Sequence, residues 1–219
     1  MSHQTMIIDI YFDVVCPWCY IGYNRLKTAL AANPDTSVSL RWHPCQLNQG
    51  MPQAGLDRRS YMIAKFGTAQ RAAQVKRMIA EAARQDSLPL NLEIISRTPN
   101  TLNAHLLIRF AGRNGLTVEN VVDSVFRAYL VHGRDIGRTA ELVDIGESTG
   151  AERKALEDYL AGSDDTAVVE AEDMAARRLG IQAVPCFVIN RRFALSGAQE
   201  PESFRPFLDH PEIYSDLTA

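Results

Sequence analysis

The chain lacks the features that would commit it to a membrane, a nucleic acid or a disulfide scaffold. No apolar run approaches the ~20 residues that span a bilayer, so no membrane segment is expected. Neither charge sign is in excess, since 23 Lys and Arg face 26 Asp and Glu for a formal net charge of −3. That balance offers no electrostatic basis for binding nucleic acid or anionic lipid, and neither is expected as a partner. Cysteine is scarce. Cys16, Cys19, Cys45 and Cys186 are too few and too scattered to staple 219 residues. The five histidines form no close pair and no second C-x-x-C accompanies the first, so no metal site is expected. The N-terminal MSHQTMIIDIYF has neither a basic segment nor an apolar stretch before a small-residue cleavage site. A cytoplasmic location is expected. Repeats and low-complexity segments are absent as well, leaving one domain with a large insertion or two small domains sharing a core.

What is present changes character along the chain. Residues 6–15 are rich in Ile, Val, Tyr and Phe and read as a buried strand. Residues 21–32 read as a helix ending before Asn33-Pro34, and residues 37–43 alternate apolar and polar as a second strand. This β-α-β unit predicts parallel strands. From about residue 57 to 179 the period is helical. Met62, Phe66, Ala69, Ala73, Val75, Ile79 and Ala82 predict one long amphipathic helix. Thr98 as N-cap, Pro99 at the first helical position and Gly115 past the end frame another, and Thr117 to Gly133 a third. Three further helices follow, the last ending at Gly180. The C-terminal AVPCFVIN and RRFALSG predict a hairpin turning at Asn190-Arg191, and a short helix has Pro201 near its start.

The two close thiols fall where that layout gives them chemistry. Cys16 lies at the carboxyl end of the first strand and at the N-cap of the helix that follows, with Pro17 at the first helical position, where a missing N–H is no loss. Orphan N–H groups and the positive end of the helix dipole then favour a thiolate. Such a placement commonly lowers a thiol from about 8.5 to between roughly 3.5 and 7.5. Cys19, one turn on, is within disulfide reach. Structural zinc would need four ligands, and a merely buried pair of thiols would not need a strand-to-helix junction with proline between them. Redox exchange is the reading these residues favour, with Cys16 attacking and Cys19 resolving. Pro185 opens a strand without an N–H, which leaves the backbone of Val184 available to an extended substrate segment; a plain turn proline is the alternative.

CPWCYIG after a YFD strand, then PNTLNAH, GRDIG, GIQAVP and ALSGAQEPESF, occur in this order over nearly the whole chain. Together they resemble the DsbA-like thioredoxin-fold oxidoreductases, specifically the FrnE branch. The resemblance implies an α/β thioredoxin fold (β-α-β … β-β-α) interrupted by an all-helical insertion that roofs the active site. Residues 1–55 and 180–219 would form the thioredoxin-like part and 56–179 the insertion. It also implies a cis Val184-Pro185 peptide facing Cys16, with Pro17, Trp18, Val184 and Pro185 meeting the substrate. One departure matters. Thioredoxins and DsbA place a buried acid six residues before the first Cys, where this chain has Ile10; Asp13 is the nearer carboxylate.

Other polar residues are open to two readings each. Asn100 and His105 either approach the site or serve as a cap and a packed ring, and Arg134 and Asp135 lock the 133–139 turn. Ser196–Gln199 follows the last strand and is a candidate lining loop. Cys45 and Cys186 should flank the first strand on opposite sides, as buried hydrophobic thiols or auxiliary ones.

The expected function is thiol–disulfide exchange with a protein or small-molecule substrate. It requires no metal or organic cofactor, takes glutathione as an optional co-substrate, and is compatible with a monomer or a homodimer. The alternative is a glutathione-dependent isomerase or transferase. The resemblance extends to 2-hydroxychromene-2-carboxylate isomerases and kappa-class glutathione transferases, which typically carry Ser where Cys16 stands. A non-catalytic binder that presents the Val184-Pro185 groove is the third class.

Overall fold

The computed structural model describes residues 5–210. Along the chain it forms β1 (Met6–Phe12), α1 (Pro17–Ala31), β2 (Val38–Pro44), β3 (Leu56–Asp57), α2 (Arg58–Phe66), α3 (Ala69–Gln85), β4 (Arg97–Thr98), α4 (Leu102–Arg113) and α5 (Val118–Leu130). Then come α6 (Thr139–Ser148), α7 (Arg153–Ala161), α8 (Thr166–Arg178), β5 (Cys186–Ile189), β6 (Phe193–Ser196), a single 3₁₀ turn (Pro201–Ser203) and α9 (Arg205–Asp209). Contacts divide the chain into two compact units, Met1–Cys45 with Glu172–Ala219, and Gln46–Ala171. Among the described residues no helix is long and apolar enough to cross a membrane.

The first unit is built on a four-stranded sheet in the order β2-β1-β5-β6. β1 runs parallel to β2 and antiparallel to β5, and β5 is antiparallel to β6. This is the expected α/β arrangement, a β-α-β unit completed by a hairpin. Register places Ile10 opposite both Trp42 and Phe187, so these side chains share one face. Ile8, Ile10 and Phe12 are buried there, and Trp42 meets Phe12 and Tyr23 edge-on at 4.9 and 4.7 Å between centroids. Phe187 packs edge-on against Phe204 at 5.2 Å. A ring fully removed from water in this way contributes roughly 1.5–3 kcal/mol.

The opposite face of β1 is more polar. Asp9 is buried with His43 Nε2 at 2.8 Å, and Tyr11 stacks on the His43 ring at 4.8 Å. The hairpin turns as its sequence suggests. Asn190 and Arg191 both have positive φ, the condition for a type I′ turn. No glycine is needed because Asn190 is held on both sides, its N–H donating to Ile7 O and its Oδ1 accepting from Ile7 N, each at 2.8 Å.

Three local expectations need correction. β1 stops at Phe12 rather than residue 15, because the chain turns there, with Cys16 N donating to Asp13 O at 3.0 Å. The long helix through residues 62–82 is two helices. Gly67, at φ +86, ends α2, and Thr68 starts α3 by accepting a hydrogen bond from Arg71 N. Apolar spacing runs through this break because both helices turn an apolar face to the same core. Thr98 is not an N-cap. It pairs with Leu56 in the small β3-β4 sheet, and α4 begins at Leu102 after Thr101, with Asn100 Oδ1 accepting from Leu102 N at 2.9 Å. A strand partner 42 positions earlier in sequence leaves no local signature.

In the second unit, α4, α5, α6 and α7 pack around Leu107, Val121, Val125, Phe126, Leu142 and Leu156, all fully buried. Asp165 closes that unit by accepting from Tyr159 OH at 2.8 Å and pairing with Arg109 and Arg113.

Close approach explains one helical glycine. A methyl group on Gly22 of α1 would lie 2.9 Å from Pro185 Cγ, 3.2 Å from Ala198 Cα and 3.3 Å from Phe187 Cζ. Alanine gains up to about 1 kcal/mol over glycine in a helix, but overpacking costs about 1–3 kcal/mol. Gly22→Ala is therefore expected to lower the urea midpoint; an unchanged or higher midpoint would show that this contact has slack.

Candidate active site

The site is assembled where β1 hands over to α1. Cys16 is the N-cap residue, with extended backbone (φ −87, ψ 111), and Pro17 is the first helical residue. The helix starts here because proline has the right φ and no N–H to lose, while Cys16 O accepts the first bonds from Cys19 N (3.0 Å) and Tyr20 N (3.3 Å). Both sulfurs leave solvent, with Cys16 4% and Cys19 2% exposed, whereas Pro17 and Trp18 between them are half-buried.

Burial alone would raise both thiols, yet they move apart. Cys16 is held below the ordinary thiol value, first by the hydrogen bond it receives from the Cys19 thiol, then by the Cys19 and Trp18 backbone N–H groups at the helix start. Cys19 is driven well above that value, first by burial and then by donating its proton to Cys16. Ionisation is therefore easier at Cys16 than at Cys19. Asp13, 1% exposed in the turn, adds a negative charge that raises both thiols, as a smaller influence than the sulfur–sulfur bond. Ile10, six residues before Cys16, is buried in the sheet core, so no carboxylate occupies that position.

Val184-Pro185 is a cis peptide, and the Cys16 thiol donates to Val184 O across 3.7 Å. The chain order separates these residues by 168 positions, and the sheet brings them together. Pro185 O accepts from Gly197 N at 2.7 Å. Arg25, buried on α1, donates to Ala198 O at 2.9 Å and pairs with Glu200 at 2.7 Å. Ser196–Gln199 is thus a fastened loop. Nothing in the sequence marked Gly22 or Arg25, which look like ordinary helix positions until the loop they hold is in place.

Cys45 and Cys186 lie on opposite sides of β1. Cys45 N donates to Phe12 O at 2.9 Å, and Cys186 sits opposite Tyr11. All four cysteines carry free thiols. Burial pushes Cys45 up to about 11, with Asp173 adding to the shift, and burial raises Cys186 too. In both, burial disfavours the thiolate. Asp173, itself fully buried, is paired with Arg177 at 3.2 Å. The other sequence candidates have local partners in the second unit. Asn100 donates to Met51 O at 2.7 Å, His105 is buried in α4, and Asp135 Oδ1 accepts from Gly137 N within the 133–139 turn. Among the described residues no three His, Cys, Asp or Glu side chains group as metal ligands.

A family model described as a DSBA-like thioredoxin domain matches residues 7–209. The chain belongs to the DsbA-like thioredoxin family. Its fold is shared with a probable DsbA oxidoreductase from Streptomyces coelicolor at a TM-score of 0.87 and 26% identity, over 98% of this chain and 92% of that one. The cytosolic disulfide reductase DsbM from Pseudomonas aeruginosa, solved with GSH, superposes at 0.68 with 19% identity, covering 94% and 99% of the two chains. A 2-hydroxychromene-2-carboxylate isomerase superposes at 0.67 with 18% identity, covering 94% of each. No curated protein matches the sequence significantly. The DsbA-like chain thus sits in a family whose structural neighbours include both disulfide oxidoreductases and an isomerase.

The electrostatics of this DsbA-like site make two opposite predictions. Cys19→Ala removes the largest influence lowering Cys16, so the Cys16 thiolate should appear at higher pH. Asp13→Asn removes a negative charge that raises Cys16, so its thiolate should appear at lower pH. Thiolate absorbance titrated against pH checks both, and movement of the two variants in the same direction would contradict this account of the site.

Proposed function

We propose that the chain is a thiol–disulfide oxidoreductase with Cys16 as nucleophile and Cys19 as resolving thiol. The observation that carries the reading is a pair of buried thiols one turn apart at the start of α1, with Cys16 at the N-cap facing Val184 O. Acting as a reductase, the Cys16 thiolate attacks one sulfur of a substrate disulfide. That S–S bond breaks, and the departing sulfur leaves as a thiolate and takes a proton. Cys19 then loses its proton and attacks the Cys16 sulfur of the mixed disulfide, releasing the second substrate thiol. Two electrons pass from the protein to the substrate, and the protein is left with a Cys16–Cys19 disulfide. The reverse sequence oxidises a substrate dithiol.

When protonated, the Cys16 S–H donates to Val184 O. Ionisation of Cys16 releases that acceptor, and we assign Val184 and Pro185, with the half-buried Pro17 and Trp18, to contact the substrate. Extended peptide backbone or a small disulfide suits such a surface. Two molecules of glutathione, or of another small thiol, would reduce the Cys16–Cys19 disulfide and leave as an oxidised pair. A neighbour named as a cytosolic disulfide reductase and solved with GSH is in keeping with that co-substrate and with a cytoplasmic setting. No metal or organic cofactor enters the scheme.

The second reading is a glutathione-dependent isomerase acting on a small molecule, for which the fold shared with 2-hydroxychromene-2-carboxylate isomerase speaks. That chemistry uses one activated group and has no role for a second thiol hydrogen-bonded to the first.

Equilibration in glutathione buffers, alkylation quench and mass spectrometry separate the two. A reversible two-electron Cys16–Cys19 couple between about −120 and −270 mV is expected. Cys16→Ser should abolish disulfide exchange. A chain that never forms the internal disulfide, retains glutathione, and keeps turning over as Cys19→Ser would establish the isomerase instead.

A further inference from the structure

The helical unit Gln46–Ala171 contains a cleft of about 480 Å³ between α2, α3 and residues 92–96. That volume lies within the roughly 300–1,000 Å³ of small-molecule sites, which pair an apolar lining with a few placed polar groups. The lining fits the description. Ala72, Ile79 and Ile95 are buried in its floor, and Met62, Ile63 and Leu92 are half-buried along its walls. Three cations, Arg58, Arg59 and Lys76, and two acids, Asp57 and Glu93, complete it.

The acids are already engaged. Asp57 Oδ1 accepts from Ser60 N and Ser60 Oγ, both at 2.8 Å, as the cap of α2, and Glu93 pairs with Lys76 at 2.7 Å. Arg58 forms no ion pair with a carboxylate among the described residues, whereas the charge of Arg59 is offset by the neighbouring Asp57 carboxylate. Arg58 is the telling one. It is half-buried, and its Nη1 donates only to neutral oxygens, Thr98 Oγ1 at 3.2 Å and Tyr129 OH at 3.4 Å. Both are longer than the 2.7–2.9 Å or so usual for a charge-assisted hydrogen bond. A guanidinium partly withdrawn from water without a counter-ion is costly, and an anion beside it would offset the cost.

We propose that this cleft binds a small amphipathic monoanion. Its carboxylate is held by Arg58, and its unbranched apolar body lies along Met62, Ile63, Ala72, Ile79, Leu92 and Ile95. The site needs neither Cys16 nor Cys19, so it stands whether or not the thiols exchange disulfides.

Calorimetric titration of the full chain with decanoate tests it. Saturable binding of one decanoate per chain is expected, with 1-decanol at least about tenfold weaker, since a hydrogen bond to a charged group is worth about 1.5–3 kcal/mol. Arg58→Gln should weaken decanoate by a similar factor without affecting decanol. Ala73→Trp, which fills the cleft from its half-buried wall, should abolish binding while disulfide exchange and the unfolding midpoint stay as in the parent chain. Equal affinity for decanoate and decanol, undiminished binding by Ala73→Trp, or no saturable binding would each overturn the proposal. Should Arg58→Gln unfold, the decanol comparison and the Ala73→Trp chain still decide it.

Discussion

One hydrogen bond between two buried sulfurs sets the thiol chemistry of the thioredoxin-like unit. Cys16 and Cys19 are both withdrawn from water, where a thiolate is costly, yet Cys16 is held low because Cys19 points its proton at it. The bond requires the sulfurs to lie one helical turn apart and Cys16 to stand at the cap, where backbone N–H groups add to the effect. Everything nearby serves that placement. Pro17 starts the helix, and the end of β1 sets where it begins. The aromatic packing of Trp42 against Phe12 and Tyr23 clamps helix to sheet.

The loop facing the thiols is held with comparable care. Val184 O reaches Cys16 because β5 is paired beside β1, while Gly197 N and Arg25 anchor the segments on either side of the hairpin. Gly22 lets α1 approach this loop more closely than any side chain would allow. A thiol, a carbonyl and two half-buried residues thus meet at the start of α1. The helical unit rests on a different principle, an apolar core closed by the Asp165 cluster, and it carries its own cleft and unneutralised arginine.

Element types were legible in the chain wherever local chemistry dominates. Period-two and period-3.6 patterning, glycine at helix ends and Pro17 at a helix start are each local devices, and the elements they announce are present. The errors arose where a distant partner or a single backbone residue prevailed. Thr98 looks like a cap because Pro99 follows it, but pairing with Leu56 makes it a strand residue. One apolar stripe spans α2 and α3 because it records burial, while the turn at Gly67 depends on one φ angle.

By itself the sequence determined the chemistry on offer: two thiols at the first turn of a helix, a proline before a late strand, and no carboxylate six residues ahead of Cys16. These are consequences of spacing along a helix or strand, which covalent geometry fixes without reference to the rest of the chain. Tertiary structure alone decided how that chemistry is tuned. The sulfur–sulfur hydrogen bond in its buried setting sets Cys16 below Cys19, the sheet carries Val184 to Cys16 across 168 positions, and burial raises Cys45 and Cys186. Desolvation and long-range charge depend on which atoms surround a group in space, and no local pattern in the chain specifies that neighbourhood.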